Sequence, residues 1–392
     1  MRRVLIALAI LPHSLGAQRQ PKPMPLPDAW PAATQALDAF IASQHLIGGG
    51  LAFIRDGKVV ADHYVGAADR DRSERAETPT IWHWGSITKT LTAIAVMQQV
   101  ERGAVSLDDP VTKWIPELRR IHNPYGSMDQ LTVRMLLSHS SGLQNPTWPW
   151  TKGEPWEPFE PTEWSQLVAM MPYTQLVFAP GSQYGYSNPA FIYLARIVEQ
   201  ISGDPWESYI DKNLFTPLGI TTSYFGFTPK HLERWRSNNY SVQKDGSVRA
   251  NGRDFNPGIT IPNGGWNAPI GDLATWAGFL MGAAPADSTM AAKYADILPR
   301  RTLESMWLPI VQAGSEGMGM SFFIDQEGGR RFIGHTGSQA GFRAFLYLDP
   351  DRRTAIIGVV NTDTDANQLA YQQGYQATIK AGLDVLRSAV AK

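Results

Sequence analysis

The sequence predicts a mixed α/β fold of the α+β kind. One antiparallel sheet is assembled from both ends of the chain and covered by the terminal helices, and a mainly helical lobe is inserted between them. Three observations predict it. GGGLAFIRDGKVVADHYVG, from Gly48, places two apolar runs on either side of Asp56-Gly57, a strong hairpin signal. Residues 330–334, 342–348 and 354–360 read as three further strands, separated by turn signals such as Asp349-Pro350-Asp351. The stretch between these groups, from Ser86 to about Arg301, reads mostly as helix and loop.

The elements follow in chain order. MRRVLIALAILPHSLGAQ carries two arginines, a short apolar run from Val4 to Leu11, and the small residues Gly16 and Ala17. That pattern predicts a cleavable export signal over residues 1–17, too short to span a bilayer as a helix. Residues 21–31 are proline-rich and read as an extended lead-in. Ala33, Leu37, Phe40 and Ile41 recur at helical spacing, predicting a helix over 30–45. Gly48 to Gly50 lead into a strand rather than a helix, which argues against a phosphate cradle. A helix over 91–102 stops at Gly103, and one over 190–201 stops at Ser202-Gly203. NPTWPWTKGEPWEPFEPTEW, residues 145–164, has too many prolines for a regular helix or a central strand. It reads either as a stiff surface loop or as an aromatic wall beside a cleft. Residues 367–390 close the chain as a helix.

Composition excludes several functions. The 392 residues carry a net charge of −1, so there is no basic footprint for nucleic acid. There is no cysteine, hence no thiol nucleophile, thiolate metal site or disulfide framework. The histidines are scattered without a His-Glu-x-x-His cluster, and no serine sits in Gly-x-Ser-x-Gly. His83 reads as a structural strand-end residue and His139 as a hydrogen bonder that fixes a loop. Asp108 and Asp109 read as a turn and cap. No metal or cofactor is predicted, no later segment is long and apolar enough to span a membrane, and the oligomeric state is left open.

Chemistry concentrates in three places. In WHWGSITKTLTAIAV, Ser86 and Lys89 share one helical face at the start of an apolar run. A serine hydroxyl needs a neighbour to take its proton, and a desolvated lysine can do that or assist another base. A helix N-terminus offers backbone N–H groups to the oxygen that turns negative when a carbonyl is attacked. Ser-x-x-Lys alone is a weak pattern. A second copy, Ser241 to Lys244, sits in polar sequence with no buried helix behind it. The next place is FAPGSQYGYSNPAF, where Tyr186 and Asn188 stand at a helix entrance and supply a phenol and an amide. The last is FIGHTGSQAGF, with His335-Thr336-Gly337 on or ending a strand. There Gly337 permits close backbone approach, and His335 can donate a hydrogen bond or carry a proton.

In this order the three motifs resemble those of the penicillin-recognising serine hydrolases: class C β-lactamases, D-Ala-D-Ala carboxypeptidases and family VIII-type esterases. LDDPVTKWIPEL, LTVRMLLSHSSGL, GGWNAPIGDLATWAGFL and GHTGSQAGFRAFLYLDPDRRTAIIGVVNTD extend the resemblance over nearly the whole chain from Trp30. It implies a β-lactamase-like fold, with one hydrolase domain over 18–392. Its sheet lobe would take about 30–85 plus 310–392, and its helical lobe about 86–309. It implies Ser86 as the acylated nucleophile, Lys89 in the proton path, Tyr186 as general base that also returns the proton to the leaving group, and Asn188 binding Lys89 and a substrate amide; which group first deprotonates Ser86 is left open. His335, Thr336, Gly337 and Ser338 would be substrate-binding, and the N–H groups of Ser86 and Ser338 would form the oxyanion hole. His-Thr-Gly stands where class C β-lactamases mostly carry Lys-Thr-Gly. A histidine, often uncharged near neutral pH, holds a carboxylate less well than lysine. The expected function is therefore an exported, periplasmic or secreted esterase or D-Ala-D-Ala peptidase ahead of an efficient β-lactamase. Its partner would be a small-molecule or peptide substrate, with Trp266 and the 145–164 loop accommodating a bulky apolar group. The rival is a non-catalytic penicillin-binding or sensor-like module.

Overall fold

The structure, a computed structural model, describes residues 25–143, 161–284 and 286–389. The export-signal residues and most of the tryptophan-rich segment lie outside the described residues.

A nine-stranded antiparallel sheet forms the frame. Its order across the sheet is Glu74–Arg75, Lys58–Asp69, Gly48–Arg55, Thr354–Val360, Phe342–Asp349, Arg330–Gln339, Phe323–Glu327, Glu316–Met318 and Val311–Ala313. The two ends of the chain meet in its middle, where Gly50 pairs with Val359 and Phe53 with Ile356. The Asp56-Gly57 hairpin forms as the sequence predicts, because both residues adopt positive φ, the twist a two-residue connection needs.

Strand Gly48–Arg55 is buried along its whole length because both sheet faces are covered. Leu51 and Phe53 point to one face, where they pack with Leu37 and Phe40 of helix Trp30–Ser43 and Tyr371 and Leu386 of helix Gln368–Ser388. Ala52 and Ile54 point to the other, into the core shared with the helical lobe. The lead-in is shorter than the prolines suggest, since Pro31 sits in the first turn of helix Trp30–Ser43, where its missing N–H costs nothing.

The central segment holds more strand than expected. Tyr224–Phe225 and Ile81–His83 flank Trp266–Pro269 in one small sheet. Thr362–Thr364, Asn239–Val242 and Val248–Gly252 form another. Ser241 of the second Ser-x-x-Lys lies in one of these strands, so that copy has no helical face. Trp164, the last residue of the proline-rich stretch, opens helix Trp164–Met170 rather than ending a loop. Trp266 is fully buried, with Phe215 and Trp276 against it, so it belongs to the core and lines no substrate pocket. Among the described residues, no helix is long and apolar enough to cross a membrane.

Candidate active site

Ser86 sits in a 3-10 turn, Gly85–Ile87, that runs directly into helix Thr88–Glu101. This helix is buried on nearly every side from Thr88 to Gln99, which is why its sequence reads apolar all round. Its threonines are satisfied locally: Thr88 Oγ1 donates to the Gly85 carbonyl and Thr90 Oγ1 to that of Ile87. The Trp266 N–H donates to Thr88 Oγ1, and the Trp84 N–H donates to the Trp266 carbonyl. The turn is thereby fixed from two sides.

Its third support is the strand that carries His335. Gly85 has φ +51°, and a β-carbon there would stand 2.8 Å from the Ser338 nitrogen. A β-carbon on Gly337 would stand 2.0 Å from the Trp84 carbonyl oxygen. Two glycines thus let turn and strand touch backbone to backbone, which sets the main chains of Ser86 and Ser338 side by side.

Three motif residues converge on Ser86. Lys89 Nζ lies 3.0 Å from Ser86 Oγ, 2.8 Å from Asn188 Oδ1 and 2.7 Å from the Asn263 carbonyl oxygen. The Tyr186 phenol is hydrogen-bonded to the Ser86 side chain, and its ring centroid lies 5.0 Å from Lys89 Nζ. Asn188 opens helix Asn188–Ser202, with Ser187 capping the N–H of Ala190. Lys89 is fully buried and its hydrogen-bond partners are uncharged, so desolvation pushes its pKa well below the ordinary lysine range. Nζ stands within donor reach of three oxygens, those of Asn188, Asn263 and Ser86, and with its pKa lowered it can take the Ser86 proton. Burial pushes the Tyr186 phenol up, so it is held protonated.

His335 is buried at 1 % exposure, beside Phe323 and 6.3 Å, centroid to centroid, from Tyr186. Its Nδ1 lies 2.5 Å from the Thr336 carbonyl oxygen, which can only accept, so the ring proton is on Nδ1. Nε2 is then a bare acceptor without a hydrogen-bond partner among the described residues. Burial first, and the nearby Lys89 second, bring the pKa of His335 down to about 3. Burial and this tautomer favour a neutral His335 whose N–H is already used on the Thr336 carbonyl.

A cavity of about 360 Å³ opens onto Ser86 and is lined by Asn188, Asn263 and Ser338 together with Thr162, Phe255 and Gln339. Its other walls are Pro161, Asn256, Pro257, Gly258, Thr260, Gly264 and Ala340, so no charged residue lines it among the described residues. Lys89, His335 and Gly337 are buried, while Tyr186 and Thr336 are half-buried. His83 ends its strand between Asn267 and Gln339, as a structural residue. Asp108 is paired with Arg134, while Asp109 accepts from the Ser106 N–H and Lys113. No group of acidic or histidine side chains suited to a metal occurs among the described residues.

Sequence reasoning missed Asn263, because it contributes a backbone carbonyl that any residue could supply. It also missed the walls formed by Thr162, Phe255 and Gln339, which lie in loops or just past the third motif.

The two-sided sheet, the lobe set into it and the Ser–Lys–Tyr cluster at their seam define the β-lactamase-like class of folds. The chain belongs to the beta-lactamase family, whose model matches residues 33–378. It is 31% identical over 213 residues to "Esterase EstB" of Burkholderia gladioli, covering 50% of this chain and 51% of that protein. It is 22% identical to "Protein flp" of Staphylococcus aureus (strain COL), covering 82% of this chain and 61% of that one. The chain therefore spans between 51% and 61% of the length of these curated relatives. Among solved structures, the octameric penicillin-binding protein homologue from Pyrococcus abyssi superposes with a TM-score of 0.74 at 27% identity. That match covers 90% of this chain and 76% of the other.

Proposed function

We propose that the chain is a serine hydrolase that cleaves uncharged carboxylic esters through an acyl-enzyme on Ser86. The observation that carries this reading is a serine bonded to a desolvated lysine at the floor of a pocket that no charged residue lines among the described residues. In acylation the Ser86 proton passes to the Lys89 amine as Oγ attacks the ester carbonyl. The N–H groups of Ser86 and Ser338 receive the oxyanion. Tyr186 gives its proton to the departing alkoxide, leaving a tyrosinate and a Lys89 ammonium. In deacylation water gives a proton to the tyrosinate and its oxygen attacks the acyl carbon. Ser86 then leaves and takes its proton back from Lys89. Every proton is returned, and no cofactor is consumed.

Among the described residues, no cation in the pocket lining faces a substrate carboxylate, since burial lowers the pKa of His335 to about 3 and Lys89 is buried. The reading is also supported by the likeness to a relative named as an esterase. The deciding experiment compares kcat/KM for a D-alanyl ester or peptide bearing a free C-terminal carboxylate with its methyl ester. Preference for the methyl ester supports the reading. Preference for the free acid favours the D-peptidase, and a stable adduct without turnover favours the sensor.

The catalytic unit would span 18–392 after removal of residues 1–17 on export. N-terminal sequencing of protein recovered from the periplasm or medium tests this, and an intact Met1 in exported protein contradicts it.

A further inference from the structure

We propose that His139 is the positioning residue for Tyr186, holding the phenol where it delivers its proton to the leaving group. The proposal rests on the acid role given to Tyr186 above. His139 touches each of the three residues around the phenol. Its backbone carbonyl accepts from the Gly185 N–H at 2.8 Å. Its Nδ1 accepts from the Ser187 N–H at 3.1 Å. Its ring stacks on the Tyr186 ring, with centroids 4.3 Å apart and planes at 26°.

The ring is itself rigidly placed. His139 is fully buried and adopts φ +54°, a left-handed conformation that a β-carbon disfavours. The Ser140 N–H bonds to the Met135 carbonyl, and Ser138 and Ser140 join hydroxyl to hydroxyl on either side. The Ser321 N–H, from a different segment, bonds to the Leu137 carbonyl. Because Nδ1 accepts from a backbone N–H, the ring proton is on Nε2 and the imidazole is neutral. Desolvation, with Lys89 and His335 close by, keeps it so. His139 does not line the pocket, and the ring it stacks on directly at the site is that of Tyr186.

A proton donor set by a fixed ring matters most when the leaving group cannot depart as an anion. Ethyl butyrate needs that proton, whereas p-nitrophenyl butyrate releases a stable phenolate. His139→Asn tolerates the positive φ and keeps an acceptor near Nδ1 but removes the stacked ring. The expected result is a fall in kcat/KM of about 100-fold on ethyl butyrate, the scale of a misplaced catalytic group, against less than about fivefold on the nitrophenyl ester. In a Tyr186→Phe background the same substitution should cost nothing further on ethyl butyrate. His139→Phe keeps the ring and its packing while leaving the Ser187 N–H unbonded. It should show the same selectivity for the poor leaving group with a smaller loss, and it gives the answer if the Asn variant does not fold. Equal losses on both esters, or an undiminished loss on top of Tyr186→Phe, would overturn the proposal. Tyr186→Phe alone reports on the acid role separately. If it leaves ethyl butyrate turnover unchanged, the role of Tyr186 itself is wrong and the positioning proposal falls with it.

Discussion

Substitution of Gly337 by alanine tests the backbone contact on which the proposed oxyanion site depends. The new β-carbon would stand 2.0 Å from the Trp84 carbonyl oxygen and 3.5 Å from the Ser86 nitrogen. Both neighbours are backbone, so no side chain can swing aside. Packed interiors hold such atoms at about 3 Å or more, so the turn and the strand must part by at least about 1 Å. The parting occurs between the Ser86 and Ser338 N–H groups, which then cannot converge on one oxygen. Loss of one such donor typically lowers the rate by about 10² to 10³, or about 3–4 kcal/mol. Overpacking adds about 1–3 kcal/mol of destabilisation, small enough to leave a domain of this size folded. The assay is the pre-steady-state burst of nitrophenol from p-nitrophenyl butyrate, with a thermal melt of the same preparation. A folded Gly337→Ala variant that acylates within about threefold of the parent, against the loss of about 10² expected for a donor, would refute the reasoning.

Two further outcomes follow from the buried bases. Lys89→Met matches the stem of lysine but cannot take a proton, and acylation should fall by about 10² to 10⁴ while the melt shows a folded protein. Near-normal acylation in that variant would give the base role to another group. The second concerns acid stability. His335 and His83 are held at about 3 and about 4, both below the ordinary histidine value. The unfolded chain therefore binds protons that the folded chain refuses. The stability these groups contribute is complete above about pH 6.5 and is lost as pH falls toward 4 and 3. Each histidine adds at most about 1.4 kcal/mol per pH unit to the slope. Urea unfolding between pH 6.5 and 4 should show a shallower dependence in His335→Asn than in the parent. Equal slopes would mean that His335 titrates normally.

Much of the frame is legible in the sequence for physical reasons. The hairpin is marked by residues that tolerate positive φ, and Leu51 to Ile54 announce a two-sided burial by their unbroken apolarity. The Ser86 motif can be separated from the Ser241 copy because an all-buried helix must follow one and cannot follow the other. The small central sheets were not legible. Tyr224–Phe225 and Trp266–Pro269 are too short to carry a period, and their pairing partners lie far away in the chain. Trp266 shows the limit of reading residue type: a large aromatic fits a pocket wall and a core equally well, and only packing decides. The state of His335 was also out of reach, since it depends on a carbonyl 2.5 Å from Nδ1 and on complete burial.

The most direct test of the account is intact-protein mass spectrometry of the chain and its Ser86→Ala variant. Each is treated with a fluorophosphonate, and nitrophenol release from p-nitrophenyl butyrate is followed in parallel. The account predicts one adduct on the parent, mapped to the peptide containing Ser86. It predicts neither adduct nor turnover above background in the variant. Labelling at another residue, or turnover that survives in Ser86→Ala, would contradict it.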